Sequence, residues 1–146
     1  MKIERYSNQY QKLVKELVIS IHEEFGFSYD FKLDYDLEDL EKFYTNSGDV
    51  FFILLDNNKL VGTVAIRKID KESAELKRMY LLKEYRGQGW GSKLIDRAIE
   101  FCKEKGFKKI ILDTNIKQVA AQKLYQKKGF EIIQTKENSI FMSLKF

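Results

Sequence analysis

Hydrophobic positions along this chain alternate between two periods, and the switches outline a succession of short strands and amphipathic helices. Lys2 to Arg5 reads as a short strand. Leu13, Leu17, Val18 and Ile21 then recur at helical spacing within a helix from about Gln9 to Glu24. Phe25 to Tyr35 breaks the pattern as a loop rich in aromatics and aspartates. A second helix is expected over about Leu37 to Thr45, with Asp36 and Asp39 as N-terminal caps, followed by the turn Asn46-Ser47-Gly48-Asp49. Val50 to Leu55 and Lys59 to Ile69 predict a hairpin around Asp56-Asn57-Asn58, and Ala74 to Leu82 supplies the next strand. Trp90, Leu94, Ile95, Ala98, Ile99, Phe101 and Cys102 mark a helix of roughly Gly89 to Lys105 that ends at Gly106. Lys109 to Thr114 has the make-up of a buried strand. Lys117 to Lys128 sets Ala120, Ala121, Leu124 and Tyr125 on one side of a helix capped by Gly129, and Phe130 to Thr135 with Ser139 to Phe146 closes a last hairpin. The order β-α-α-β-β-β-α-β-α-β-β predicts a mixed α/β fold in a single domain over residues 1–146, without repeats or low-complexity segments.

One junction in this pattern carries chemistry. Arg86-Gly87-Gln88-Gly89-Trp90-Gly91-Ser92 places three of the eight glycines within five residues, between an apolar strand and an amphipathic helix. Lacking a Cβ, such a backbone can take positive φ and approach a ligand closely, while the first amides of the helix point outward unpaired. Those donors, the positive end of the helix dipole and Arg86 together suit a pyrophosphate. The spacing excludes a P-loop, which needs four residues between its glycines and a lysine after the second. It also departs from the dinucleotide fingerprint, whose third glycine would fall where Ser92 stands.

The segment Ala74 to Gly91, AELKRMYLLKEYRGQGWG, resembles the phosphate-binding motif of the GNAT superfamily of acyl-CoA-dependent N-acyltransferases, Arg/Gln-x-x-Gly-x-Gly/Ala, with Arg86, Gly89 and Gly91 at its fixed positions. Downstream, Leu124-Tyr125-Gln126-Lys127-Lys128-Gly129-Phe130 reads that family's Leu-Tyr-x-x-x-Gly-Phe signature in full. The two motifs span roughly residues 60 to 135. Lys83 stands where the family often has proline, and Gln118 where many relatives carry a cofactor-contacting asparagine.

The resemblance implies a mostly antiparallel central sheet flanked by helices, whose two central strands splay so that the pantetheine arm of acetyl-CoA fills the gap. It further implies that the loop of Arg86, Gly87, Gln88, Gly89, Trp90, Gly91 and Ser92 holds the diphosphate, that Tyr80 and Leu81 offer main-chain groups to the pantetheine, and that Gln118 contributes a side-chain contact. Trp90 either packs beneath the helix start or covers the nucleotide. Tyr125 is implied as the general acid beside the departing sulfur. Two carboxylates compete for the role of base: Glu75, eleven residues before Arg86, and Asp113, at the end of the next strand. Direct attack of an amine on a thioester needs an acid and a base but no covalent enzyme intermediate, so scarcity of cysteine and histidine is no obstacle.

Composition then narrows the alternatives. A chain of 146 residues with 44% hydrophobic and 33% charged residues suits one globular core, and no apolar run approaches the ~20 residues of a membrane span. The amino terminus lacks the apolar region of a signal peptide, which points to the cytoplasm. Cys102 alone excludes an internal disulfide, and His22 alone excludes a metal site of several histidines and cysteines. His22 is expected on a helix flank. Net charge is +4, yet residues 1–56 carry 6 basic and 12 acidic side chains while residues 57–146 carry 20 and 10. The acidic half concentrates in Glu23, Glu24, Asp30, Asp34, Asp36, Glu38, Asp39 and Glu41, read either as solvated helix ends or as a surface that draws in a cation.

These readings favour an N-acetyltransferase acting on a small cationic amine, with Phe25, Phe27, Tyr29, Phe31 and Tyr35 as lining of its acceptor pocket or as core beneath the loop. A peptide or protein amine acceptor, and a silent acyl-CoA-binding module, are the alternatives. Nucleic acid ranks last despite the sequence pI of about 9.0, because Lys103, Lys105, Lys108 and Lys109 form only a short helix-end patch. Neither nucleic acid nor membrane is an expected partner, and a homodimer is left open.

Overall fold

The computed structural model describes residues 1–146. Seven strands form one sheet in the order β1-β2-β3-β4-β5-β7-β6, from β1 (Lys2–Arg5), β2 (Val50–Asp56), β3 (Lys59–Lys68), β4 (Ser73–Leu81), β5 (Lys109–Asn115), β6 (Glu131–Lys136) and β7 (Ser139–Lys145). Every neighbouring pair is antiparallel except β4 and β5. The helices are α1 (Gln11–Glu24), α2 (Phe31–Asp34), α3 (Leu40–Phe43), α4 (Trp90–Glu104) and α5 (Val119–Lys127). The mixed, mostly antiparallel sheet flanked by helices is the architecture that the resemblance implies.

Both faces of the β2–β4 half are covered, which explains why β2 reads as an unbroken apolar run rather than an alternating one. Val50, Phe52 and Leu54 join the larger core under α4 and α5, while Phe51, Ile53 and Leu55 join the second core under α1 and residues 37–44. On α1 the buried stripe is Val14, Leu17, Val18 and Ile21; Leu13, expected on it, is 45% exposed because it lies one position off the i, i+3, i+4, i+7 row. The β5–β7–β6 half is covered on one face only, and all six residues of β6 are exposed.

The segment between α1 and β2 departs from expectation. Instead of one helix over Leu37 to Thr45, a 3-10 turn at Tyr35–Glu38 is cut off at Asp39, whose φ of −154° and ψ of 80° leave the helical region, and α3 follows as a single turn. Asp39 acts as the cap, accepting from the Lys42 amide at 3.2 Å, and Asp30 does the same for α2 through the Lys32 amide at 2.9 Å. Asp36 is not a cap: it is buried and turns inward to Arg78.

β4 and β5 decide where the site lies. Their parallel pairing lasts for three positions, Ser73↔Lys109, Ala74↔Ile110 and Glu75↔Ile111, and then stops. Beyond it β4 stays on β3 as far as Leu81↔Gly62, and β5 stays on β7 as far as Asn115↔Ser139, so the two strands part. The β3–β4 register shifts between Thr63 and Ala65, where Arg78 sits at φ 51°. An extra residue there turns β4 away from its neighbour, as a bulge does.

Candidate active site

The gap between the parted strands opens into a cleft of about 630 Å³. Met79, Tyr80 and Leu81 line it from β4, Gly87, Gly89, Gly91 and Ser92 from the glycine loop and the start of α4, and Gln118, Ala121, Leu124 and Tyr125 from the start and inner face of α5.

The loop presents unpaired main-chain donors. Gly87 and Gly89 hold φ of 76° and 91°, and a Cβ at either would meet nothing within 4 Å, so conformation rather than packing requires glycine there. None of the amides from Gly87 to Ser92 donates to a backbone carbonyl; the helical ladder begins at Lys93 N–H to Gly89 O, 3.1 Å. Gly91 differs, since a Cβ there would stand 3.0 Å from Leu124 Cδ2: it lets α4 and α5 close on each other. Arg86 reaches Glu24 through both terminal nitrogens, at 2.6 and 2.9 Å, and donates from Nε to the Leu81 carbonyl at 2.9 Å, tying the loop to the end of α1. These bonds hold the Glu24 carboxyl below its usual range.

Tyr125 is buried at 5% exposure, and burial pushes its hydroxyl well above the usual phenol range. It makes no side-chain hydrogen bond, yet no buried polar side-chain atom lacks a partner, so the hydroxyl opens to the cleft. Gln118 accepts from the Thr114 hydroxyl at 3.1 Å and the Asn115 amide at 3.3 Å, which pins the β5–α5 loop and leaves its amide nitrogen free. Gln88 and Trp90 belong to the loop, but their side chains do not line the cleft; Gln88 donates to the Glu84 carbonyl and Trp90 lies under Lys93.

Glu75 and Asp113 also lie outside the cleft lining, on the opposite face of the sheet from α4. Burial raises the Glu75 carboxyl, Lys77 opposes that, and Asp113 adds to it; the charge of Asp113 also raises Tyr125. The three groups are thus within electrostatic reach around the fork of β4 and β5.

Phe25, expected as pocket lining or core, lines the cleft together with Ile21 and Glu24 of α1, and Lys117 and Lys127, which carried no local signal, complete it. Lys117 sits 5.6 Å from the Phe27 ring, bringing the loop after α1 onto the loop before α5. His22 is half-buried and bonds through Nε2 to the Tyr80 hydroxyl at 2.8 Å. Arg78, on the β4 bulge, pairs with Asp34 at 3.1 Å and holds Asp36 through Nε and a terminal nitrogen, while Tyr44 donates to Asp36 at 2.7 Å. Burial opposes the Asp36 charge, but the bonds from Arg78 and Tyr44 outweigh it and hold the carboxyl below its usual range.

An open mixed sheet parted at its centre, with a glycine loop of unpaired amides at the head of the next helix, defines an α/β fold of acetyltransferase type. The chain belongs to the acetyltransferase (GNAT) family, whose model matches residues 15–130. It is 32% identical over 108 residues to N-acetyltransferase 8B of Homo sapiens, covering 70% of this chain and 48% of that protein. N-acetylaspartate synthetase of Xenopus tropicalis is 33% identical over 107 residues, covering 72% and 40%. N-alpha-acetyltransferase 30 of Schizosaccharomyces pombe is 36% identical over 84 residues, covering 54% and 55%. The chain thus spans about half the length of these curated relatives. Among solved structures, an acetyltransferase of the GNAT family from Staphylococcus aureus Mu50 superposes with a TM-score of 0.90 at 31% identity over 99% of this chain and 98% of its own. The fold of a PaiA N-acetyltransferase from Thermoplasma acidophilum, in complex with coenzyme A, superposes with a TM-score of 0.83 at 22% identity, covering 99% and 98%.

Proposed function

We propose that this chain transfers an acetyl group from acetyl-CoA to a primary amine by direct attack on the thioester. One observation carries the reading: a run of unpartnered amides at residues 87–92, two of them on left-handed glycines, opens at the cleft where β4 and β5 part. The donors suit the diphosphate, Lys117 and Lys127 supply positive charge at the rim, and the parted edge of β4 leaves the Leu81 amide for the pantetheine, the Tyr80 main chain being paired with Thr63 of β3. Tyr125, with its hydroxyl free in the cleft, is the proton donor to the leaving thiolate in this scheme.

A small primary amine is the acceptor class we favour. The acidic stretch supports a cationic acceptor less than its composition suggests, because Asp34 and Asp36 are spent on Arg78, Glu24 on Arg86 and Glu38 on Lys15. A peptide amine is the second reading, favoured by one feature: α1 packs on β3 and β4, leaving the face that bears Asp113 and Phe141 without a helix. Calorimetry with coenzyme A, followed by thiol release from acetyl-CoA over polyamines, aminoglycosides, amino acids and short peptides, tests both levels. Absence of coenzyme A binding would end the transferase reading.

A further inference from the structure

His22 and Tyr80 form a contact that the scheme above leaves unused. Resting on the transferase reading, we propose that the Tyr80 hydroxyl relays the proton of the attacking amine to Nε2 of His22, so that this pair, rather than Glu75 or Asp113, is the proton acceptor of the reaction.

The relay uses one of the two polarities open to the His22–Tyr80 contact. Arg78 is always a donor, and its Nη1 lies 3.4 Å from the Tyr80 oxygen. With one lone pair of Tyr80 taken by Arg78, the relay assigns the Tyr80 proton to His22, 2.8 Å away, and with it the tautomer that has a bare Nε2 and its proton on Nδ1. One lone pair of the Tyr80 oxygen remains, and Tyr80, packed on the α1 side, is among the residues that line the cleft with Tyr125, the two phenols bearing on each other electrostatically. Glu75 and Asp113, by contrast, do not line it.

The groups around His22 keep it ready to accept. Burial lowers its pKa; Arg78 on β4 lowers it further, while Asp34 of α2 raises it. Asp36 is held by Arg78, Lys117 is engaged above the Phe27 ring that meets the imidazole edge to face, and Glu24 of its own helix is held by Arg86. Neutral imidazole is thus the resting form at neutral pH, and the nearby Asp34 carboxylate stabilises the imidazolium once formed.

The step balances. The amine nitrogen bonds to the thioester carbon as the carbonyl π pair moves to oxygen; the nitrogen's proton passes to Tyr80 as Tyr80's proton passes to His22 Nε2. The carbonyl re-forms, the C–S bond breaks with its pair on sulfur, and the Tyr125 hydroxyl protonates the thiolate. Imidazolium returns its proton to solvent, and the Tyr125 phenolate takes one up.

His22→Gln tests this, because glutamine can still accept a hydrogen bond from Tyr80 but cannot take up a proton. The expected result is a fall of about 100-fold in kcat with coenzyme A affinity unchanged. The acid limb of the kcat/KM profile, set in the parent by a group titrating below pH ~6.5, should vanish in His22→Gln and persist in Glu75→Gln. Because the chain has one histidine, long-range 1H–15N spectra of the untagged protein report that ring without assignment, and should show a protonated Nδ1 that changes in Tyr80→Phe. A His22→Gln enzyme with parental rate and profile, a loss of the limb in Glu75→Gln instead, or a protonated Nε2 overturns the proposal while leaving the transferase reading intact. A parent protein that takes up no coenzyme A sinks both.

Discussion

Replacing Arg78 by methionine removes the one cation that neutralises two buried carboxylates. The Arg78 side chain is 7% exposed, Asp34 7% and Asp36 4%, so solvent cannot take over its role. Breaking a buried pair by deleting one partner costs about 3–5 kcal/mol, a large share of the ~5–15 kcal/mol that holds a domain together. At roughly 2–4 °C per kcal/mol for a chain of this size, the melting temperature should fall by about 10 °C. The sign of the pH dependence follows from Asp36. In the parent its folded pKa is depressed, so it contributes stability above the unfolded value of about 3.9, and that contribution is lost as pH falls through the folded value. In Arg78→Met only Tyr44 and the charge of Lys77 still oppose burial, so the carboxyl rises relative to the parent, and the variant suffers most at neutral pH and recovers relative to the parent as the acids protonate. Urea unfolding followed by circular dichroism at about pH 7 and about pH 4.5 reads the gap directly. A gap under about 1 kcal/mol at neutral pH, or one that widens on acidification, would refute the reasoning.

Three further outcomes follow from the site. Gly89→Ala forces a Cβ onto a left-handed residue that faces open space, so stability should fall by about 1 kcal/mol while the coenzyme A dissociation constant, measured by calorimetry, rises tenfold or more. Tyr125→Phe should fold and bind coenzyme A as the parent does, with thiol release slowed about 100-fold; unchanged turnover would favour the silent-module alternative or another acid. Burial pushes the Cys102 thiol up to about 12, so iodoacetamide should leave it untouched in the native protein and label it once urea unfolds the chain, as mass spectrometry can score.

The strands, the long helices α1, α4 and α5 and the left-handed glycine loop before α4 were legible in the linear pattern, within a residue or two at most ends. Periodicity is imposed by local backbone geometry, so Val50 to Leu55 or Leu94 to Cys102 announce themselves without reference to the rest of the chain. Glycines needed at 87 and 89 are local in the same sense, because a left-handed φ is a property of one residue. The helix expected over Leu37 to Thr45 failed where a tertiary demand won: the carboxylate of Asp36 is used by Arg78, 42 residues away, and Asp39 starts a separate turn. His22 carried no signal, since its partner Tyr80 lies 58 residues on. The fork between β4 and β5 could not be read from either strand, as it depends on a bulge against β3 and on β5 following β7 instead. Side-chain period and turn chemistry are written residue by residue; which charge meets which, and where two strands separate, is settled only when register and layer packing bring distant segments together.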